Sequence, residues 1–587
     1  MSVRTKIICT IGPAVDSYEQ VCALIDAGMT VARINFSHGD YSQHERIIGH
    51  IKKARETLDK PIGIMLDTKG PEVRLGTMRD GRVSLQAGGR WLLTKEAIVG
   101  DEERVSILPG TVLNEVQIDS RILFDDGYIS SRVVEIKSEG VVVEIENSGE
   151  ILSGKGVNLP YLKLGLPSLT DRDREDLKFG CLHDIEYVAA SFIRTADDVL
   201  AIKKVLAEQG KPETMVIAKI ENFEGVENFD SIVQVADGIM VARGDLGVEV
   251  PLAQVPKLQK MMIRKCYLAG KPAVTATQML ESMINFPRPT RAETSDVANA
   301  IYDSTSAVML SGETAIGKYP IKVTAMMREI AKEAETDFNY RNFFNHYAPL
   351  AYHDVPSSVT LATVKTAYSS NASAIFVFTS TGSTARLLSR LRPQIPIIAL
   401  TPNKKTYHQM ALFWGVVPVF GSASTNIVDA FAEISAFALD HGLVNFGDLV
   451  IVTAGSPFGV AGTTNTMIVE SIGDVLVRGD SGLGKRVHGK ITQVLTPEGR
   501  TSYSVSDRLI VIAKCDESYL SLMESAKGII LQNHVDDIDS ETFVMQKARE
   551  LGKPAIVRAD AAFNNLKEGA LVTLDPEKAL VYKGVVL

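Results

Sequence analysis

A lysine and two carboxylates in two short runs hold the chemistry that matters most in this sequence. Val216-Ile217-Ala218-Lys219-Ile220-Glu221 and Met240-Val241-Ala242-Arg243-Gly244-Asp245 are brief Val/Ile/Met-rich segments that end abruptly in charge. Such runs are too short for helices and predict buried strands. Side chains alternate along a strand, so Lys219 and Glu221 share one face. Asp245 ends the next strand. A lysine and two carboxylates at neighbouring strand tips can converge on a metal-bound anion, and two carboxylates leave open the octahedral positions that Mg2+ fills with water and substrate oxygens. A purely structural ion cluster is the competing reading, and three charged groups at adjacent tips weigh against it.

Other predicted strands end in polar groups as well. Arg33, Asn35 and Ser37 alternate with Ile34 and Phe36 and are followed by His38. Arginine's planar fork there suits a phosphate or carboxylate, although a satisfied polar strand end reads equally well. Asp67 and Thr68 close the third run, and their oxygens could join Asn35 and Ser37 around a hard monovalent cation. Arg74 and Lys155 would bring positive charge to a second anion. Thr277 and Glu313 end two later strands; Thr277 could position substrate or relay a proton. Cys9 reads as packing. Far along the chain, Thr379-Ser380-Thr381-Gly382-Ser383-Thr384 runs from a strand into a helical stretch. Hydroxyls and N–H groups at a helix start suit phosphate, and a plain capped turn is the alternative.

Positioning these groups requires a repeating frame. Eight apolar runs recur, at Thr5–Pro13, Met29–His38, Ile62–Lys69, Ile185–Phe192, Thr214–Glu221, Gly238–Gly247, Pro272–Met279 and Ser306–Ala315. Helical patterns such as Tyr18–Ala27, His44–Leu58, Ala196–Glu208 and Val255–Ala269 separate them. This alternation predicts a closed (β/α)8 TIM barrel, an α/β fold whose strand tips gather at the C-terminal mouth. The barrel is expected over 1–69 and 169–343. Short alternating segments between them predict an inserted antiparallel β-domain over 70–168, placed to act as a lid. An α/β regulatory unit is expected over 344–475 and an extra domain over 482–587, with Gly479–Gly484 as linker.

At 587 residues the chain exceeds one core, and its net charge of −9 without a basic block argues against nucleic acid or an anionic membrane as partner. No apolar stretch is long enough to span a bilayer, and five scattered cysteines fit a reducing cytoplasm.

With these motifs in order, the sequence resembles the pyruvate kinase family, in its long bacterial form. The segments 32–39, 66–72, 217–222, 241–247, 275–279 and 309–314 look like its motifs. The resemblance implies phosphoryl transfer from phosphoenolpyruvate to ADP, giving ATP and pyruvate as the last step of glycolysis. It implies Lys219 on the transferring phosphoryl group and Glu221 and Asp245 on Mg2+ (or Mn2+). Arg33, Lys219, Gly244, Asp245 and Thr277 would contact phosphoenolpyruvate, with Lys219, Thr277 and Arg33 catalytic. Asn35, Ser37, Asp67 and Thr68 would hold K+, which Glu72 supports. Asn35, His38, Arg74 and Lys155 would meet the nucleotide, and residues 379–384 a phosphorylated effector. A homotetramer is also implied. A metal-dependent barrel lyase or aldolase on pyruvate-like enolates is the alternative.

Three departures stand out. Asp303-Ser304-Thr305-Ser306 replaces the family's Asp-Gly-Thr-Asp. Gly154-Lys155 stands where a lysine pair is common. The tail resembles a phosphohistidine domain, but Glu541-Thr542-Phe543 occupies its Thr-Ser-His position, so the tail is expected not to carry phosphate.

Overall fold

The computed structural model describes residues 3–350, 354–423, 426–455 and 463–586. Eight parallel strands close into a barrel: Lys6–Thr10, Val31–Asn35, Gly63–Asp67, Tyr187–Ala190, Met215–Ile220, Gly238–Ala242, Ala273–Ala276 and Ala307–Leu310. Every strand pairs with its neighbour in chain order, and the first closes on the eighth with Lys6 opposite Ala307. Burial on both faces explains why the strands are apolar throughout rather than alternating.

The surrounding helices start at residues that satisfy their first free N–H groups. Ser17, Thr170, Thr195 and Thr290 each form a reciprocal capping box with the third helical residue. Each such cap is worth about 1 kcal/mol. By fixing where a helix begins, the caps also fix where the preceding strand lets go.

Two predicted strands run too far. The sixth stops at Ala242 and the chain turns into the helix Arg243–Glu249; the eighth stops at Leu310 and Gly312–Ala315 is helical. Ala242 pairs with Ala276 at the last rung of its ladder, so beyond the rim no neighbouring strand remains to bond. The Gly244 N–H instead donates to Thr277 Oγ1 at 2.8 Å. Asp245 and Glu313 therefore project from helical turns on the rim, not from strand tips.

The insert after the third strand forms a seven-stranded sheet in the order Val157–Asn158, Arg121–Phe124, Ile129–Ile136, Gly140–Ile145, Arg90–Thr94, Arg104–Leu108, Arg74–Leu75. A separate ladder joins Arg82–Leu85 to Gly149–Leu152. The expectation of an antiparallel sheet holds except for one pair. Arg90–Thr94 and Arg104–Leu108 run parallel, because the chain between them crosses back instead of making a hairpin.

By contacts the chain forms two compact units. One is Met1–Val364, Val377–Ala430 and Thr453–Thr466; the other is Lys365–Phe376, Phe431–Val452 and Met467–Leu587. Within the first, the helices Ser383–Arg390 and Lys404–Gln409 and the parallel strands Ile397–Thr401 and Val416–Phe420 follow the barrel. This segment seals the barrel's N-terminal end: Tyr187 Oη donates to the His408 carbonyl at 3.3 Å, and Lys6 Nζ to the Val416 carbonyl at 2.7 Å.

The second unit contains an eight-stranded sheet built from Val475–Arg478, Leu580–Lys583, Leu571–Asp575, Val487–Gln493, Arg508–Ile512, Gly528–Leu531, Ala555–Val557 and Ser481–Leu483. Ser481–Leu483, expected as linker, is an edge strand antiparallel to Ala555–Val557.

Candidate active site

Lys219 stands at the centre of the barrel mouth, on the strand Met215–Ile220. Its ammonium lies 2.8 Å from Glu221 Oε1 and 3.2 Å from Asp67 Oδ1, and donates to Ser191 Oγ at 2.7 Å. Alternation along the strand thus places Lys219 and Glu221 together. Asp67 ends the third strand, and its other oxygen receives Arg33 Nε at 2.6 Å. Arg33 also donates to Thr10 Oγ1 at 2.9 Å, which ties the first three strand tips together.

The electrostatics follow from burial and charge balance. Burial opposes ionisation of Asp67, but Arg33 and Lys219 outweigh it and hold the carboxyl below its usual range. Burial likewise works against the Lys219 ammonium, and Asp67 and Glu221 reverse this, raising it above the ordinary lysine value. Burial pushes Glu221 up to about 7, with Lys219 pulling against the rise and Asp245 adding to it. Asp245 is raised as well, again chiefly by burial. Asp67, Glu221 and Asp245 set three carboxylates against the two cations Arg33 and Lys219. With Glu221 and Asp245 both ionised, the cluster is one positive charge short.

Among the described residues no group of three or more His, Cys, Asp or Glu side chains could hold a metal ion alone. Two carboxylates in an anionic cluster nevertheless fit Mg2+, which commonly binds one or two carboxylates plus waters and substrate phosphates. The K+ candidates are partly assembled. Asn35 and Asp67 are cross-strand neighbours, and Asn35 Oδ1 accepts the Ser37 N–H at 3.1 Å. Thr68 is buried, with Oγ1 accepting the Ser191 N–H at 3.1 Å, whereas Ser37 is exposed. All four supply hard oxygens suited to K+.

Thr277 is held in an uncommon conformation. Its φ of +65° is unusual for a β-branched residue, and Gln278 follows at +54°. Thr277 Oγ1 accepts the Gly244 N–H and donates to the Ala276 carbonyl at 2.7 Å, so strain and hydrogen bonds aim it at the helix bearing Asp245. Arg243 clamps this arrangement through Asp296, at 2.7 Å, and the Thr277 carbonyl, at 2.8 Å.

Between the mouth and the lid is a cavity of about 410 Å3, with His38, Arg74, Lys155 and Asp245 on its walls. Both lid cations are paired. Arg74 donates to Glu72 Oε2 at 2.6 Å and to the Gly154 carbonyl at 2.8 Å; Lys155 lies 2.8 Å from Asp125. The lid is pinned to the rim where Asn158 Nδ2 donates to Glu249 Oε1 at 2.8 Å.

Two groups escaped the reading of the sequence. Ser191, just past the fourth strand, bridges Lys219, Asp67 and the Thr68 carbonyl. Phe192, at φ +56°, turns its N–H onto Glu221 Oε2 at 2.6 Å. A polar residue ending the run Tyr187–Ala190 was the available signal for Ser191. Glu313 is buried and accepts from the Ser311 and Leu280 N–H groups, which makes it a rim brace. Cys9 is fully buried, its thiol pushed up to about 12 by burial.

The loop at 379–384 is separate from this cluster. Thr379 Oγ1 accepts the Gly382 N–H at 3.0 Å, and Gly382, at φ +78°, starts the helix Ser383–Arg390. Thr381 Oγ1 donates to Ser383 Oγ at 3.2 Å, and the Ser380 carbonyl accepts from Thr406 Oγ1 at 3.0 Å. Thr384 is buried, its hydroxyl 2.6 Å from that of Thr464.

Residues 2–324 match the pyruvate kinase barrel domain, 357–470 the pyruvate kinase alpha/beta domain and 505–579 the mobile domain of PEP-utilising enzymes. A pyruvate kinase of Staphylococcus aureus (strain MRSA252) is 42% identical over 584 residues, covering 99% of each chain. One from Staphylococcus epidermidis (strain ATCC 12228) matches equally well, at 42% over 584 residues and 99% of each chain. The crystal structure of a pyruvate kinase from Cryptosporidium parvum superposes with a TM-score of 0.77 at 38% identity, covering 80% of this chain and 96% of that one.

Proposed function

The chain belongs to the pyruvate kinase family, and from that premise we propose how its own residues perform the reaction. The reaction is phosphoryl transfer from phosphoenolpyruvate to ADP, giving ATP and pyruvate. The supporting observation is the Lys219 ammonium, buried and charged between Asp67, Glu221 and Ser191. Phosphoryl transfer spreads negative charge over oxygens, and a fixed cation in a site shielded from water stabilises it without reorganising.

Arg33 and Lys219 bind the phosphate of phosphoenolpyruvate; Gly244, Asp245 and Thr277 orient its enol and carboxylate end. Glu221 and Asp245 would hold Mg2+ (or Mn2+), and Asn35, Ser37, Asp67 and Thr68 would hold K+; when bound, these ions neutralise phosphoryl and carboxylate oxygens. Arg74 and Lys155 exchange Glu72 and Asp125 for nucleotide phosphates, and Asn35 and His38 flank them. Thr277 stands where it can pass a proton to the enolate through water.

A phosphorylated effector at Thr379, Ser380, Thr381, Gly382, Ser383 and Thr384, a homotetrameric assembly and a cytoplasmic setting complete the proposal. No helix among the described residues is long and apolar enough to cross a membrane. The domain division is proposed as barrel 1–69 and 169–343, lid 70–168, effector unit 344–475 and tail 482–587. The tail, with Phe543 at the expected histidine position, is proposed to stabilise an assembly or transmit regulation rather than to carry phosphate.

The test is a coupled assay with phosphoenolpyruvate and ADP, omitting Mg2+ and K+ in turn. Each omission should depress turnover. Full turnover without a divalent metal would contradict the role given to Glu221 and Asp245. Cleavage of 2-keto acids without nucleotide would mark the lyase chemistry, which the paired lid cations and the family membership disfavour.

A further inference from the structure

At the barrel's opposite, N-terminal end the charge imbalance has the other sign. A small cleft is lined by Lys271, Arg386, Arg390 and Arg392 together with Ser304 and Ser306, and no carboxylate lines it. Arg392 is 4% exposed. Its Nη2 donates to the Ser304 carbonyl at 2.7 Å and to Ser306 Oγ at 3.2 Å, and its guanidinium lies 4.5 Å above the Trp414 ring. Among the described residues its Nε and Nη1 have no hydrogen-bond partner. The Tyr267 hydroxyl, on the same wall and buried, has none either.

Nearby carboxylates are engaged elsewhere. Glu335 accepts the N–H groups of Arg4 and Thr5. Asp237 is held by Lys203 and the Val216 N–H, and Asp303 by Lys260. Burial drives Arg392 down to about 9, with Tyr267, Glu335 and Tyr340 pulling against the fall without cancelling it. Ser306 offers Arg392 a neutral hydroxyl, and Ser304, strained at φ +71°, offers its carbonyl, so neither supplies a charge to match the guanidinium.

We propose that this basal pocket binds a small phosphate monoester, one phosphate oxygen seated against the unpartnered nitrogens of Arg392 and Lys271 and Arg390 beside it. The cleft measures about 20 Å3, room for a single oxygen or water. Three of its wall residues, Ile263, Tyr267 and Ser304, also line a cavity of about 670 Å3 with Phe343 and Tyr347, which can take the organic part of the ester. Inorganic phosphate shares the oxyanion chemistry and lacks that part.

Placing a carboxylate beside Arg392 tests the idea on the full-length protein. Ser306→Asp should raise the melting temperature without ligand. It should also raise, by about tenfold or more, the concentration of glycerol 2-phosphate needed to stabilise the protein, in line with the loss of charge-assisted hydrogen bonds. A stronger response to glycerol 2-phosphate than to inorganic phosphate supports the ester. An equal response, lost in the same variant, overturns the ester and leaves free phosphate as the occupant. Unchanged melting and dose curves in Ser306→Asp overturn the site. Should that variant not fold, crystals of the unmodified protein grown with selenate decide: an anomalous peak at Arg392 supports the site, and peaks at other cationic sites with none there overturn it.

Discussion

The two ends of the barrel solve opposite electrostatic problems with the same materials. At the mouth, Asp67, Glu221 and Asp245 outnumber Arg33 and Lys219, so with all three ionised the cluster lacks a positive charge. At the base, Lys271, Arg386, Arg390 and Arg392 line a cleft without any acid. Burying an uncompensated charge is costly, so either imbalance marks a place where a mobile ion improves the protein's energy. The mouth calls for a cation and the base for an anion. Four of the mouth's charges, Arg33, Asp67, Lys219 and Glu221, sit at strand ends within hydrogen-bonding reach of one another and Asp245 on a helical turn beside them, whereas the basal cations come from the helix Ser383–Arg390 and from turns.

The largest effect should come from removing the one carboxylate that both mouth cations share. Asp67→Asn keeps the shape but removes the counter-charge shared by Arg33 and Lys219. Loss of one partner from a buried ion pair typically costs about 3–5 kcal/mol, and Asp67 is 1% exposed. Denaturant unfolding should show a drop of that order, and stability within 1 kcal/mol of the parent would mean Glu221 alone suffices. Lys219→Met should instead act on the chemistry. Turnover should fall by about 10²–10³, the usual cost of losing one preorganised donor to developing charge. Normal kcat in that variant would remove Lys219 from its proposed role.

These contrasts were unevenly legible in the sequence. Lys219, Glu221, Asp67 and Arg33 could be read because strand alternation is local and the apolar runs end where the strands end. The rim helices were misread, since nothing local to Met240–Asp245 says that neighbouring strands stop at Ala242 and Ala276. Ser191 was missed because its importance depends on partners 123 and 28 residues away. Ser304 and Ser306 were visible as departures, but their consequence needed Arg392, 88 residues further along the chain. Long-range contacts, not weak local signals, account for most of what the sequence hid.

A third way to sharpen the comparison uses pH, because cation-rich surroundings at the base extend to His408. Its ring nitrogens have no hydrogen-bond partner among the described residues. Burial drives its pKa down to about 3, and Arg55, Lys404 and Lys52 push the same way. The native state therefore refuses a proton that the unfolded chain accepts near 6.5. Stability from this group is intact above about pH 6.5 and is lost as pH falls toward 3, at up to about 1.4 kcal/mol per pH unit. Replacing His408 with Gln should flatten unfolding free energy between pH 7 and 5 relative to the parent. Parallel curves would show that the proton is accommodated after all.

The smallest expected change concerns the lid. Asn158 is the donor that reaches Glu249, a carboxyl that burial pushes up to about 7 while Asn158 holds it down. Asn158→Ala removes one hydrogen bond worth about 1 kcal/mol, so the lid should release more easily and KM for ADP should rise roughly fivefold. Because Asn158 touches none of the Lys219 cluster's hydrogen bonds, kcat at saturating substrates should stay near the parent value. A fall in kcat equal to the rise in KM would mean the lid's grip contributes to the transition state itself, and the mouth could no longer be treated as a charge cluster independent of its cover.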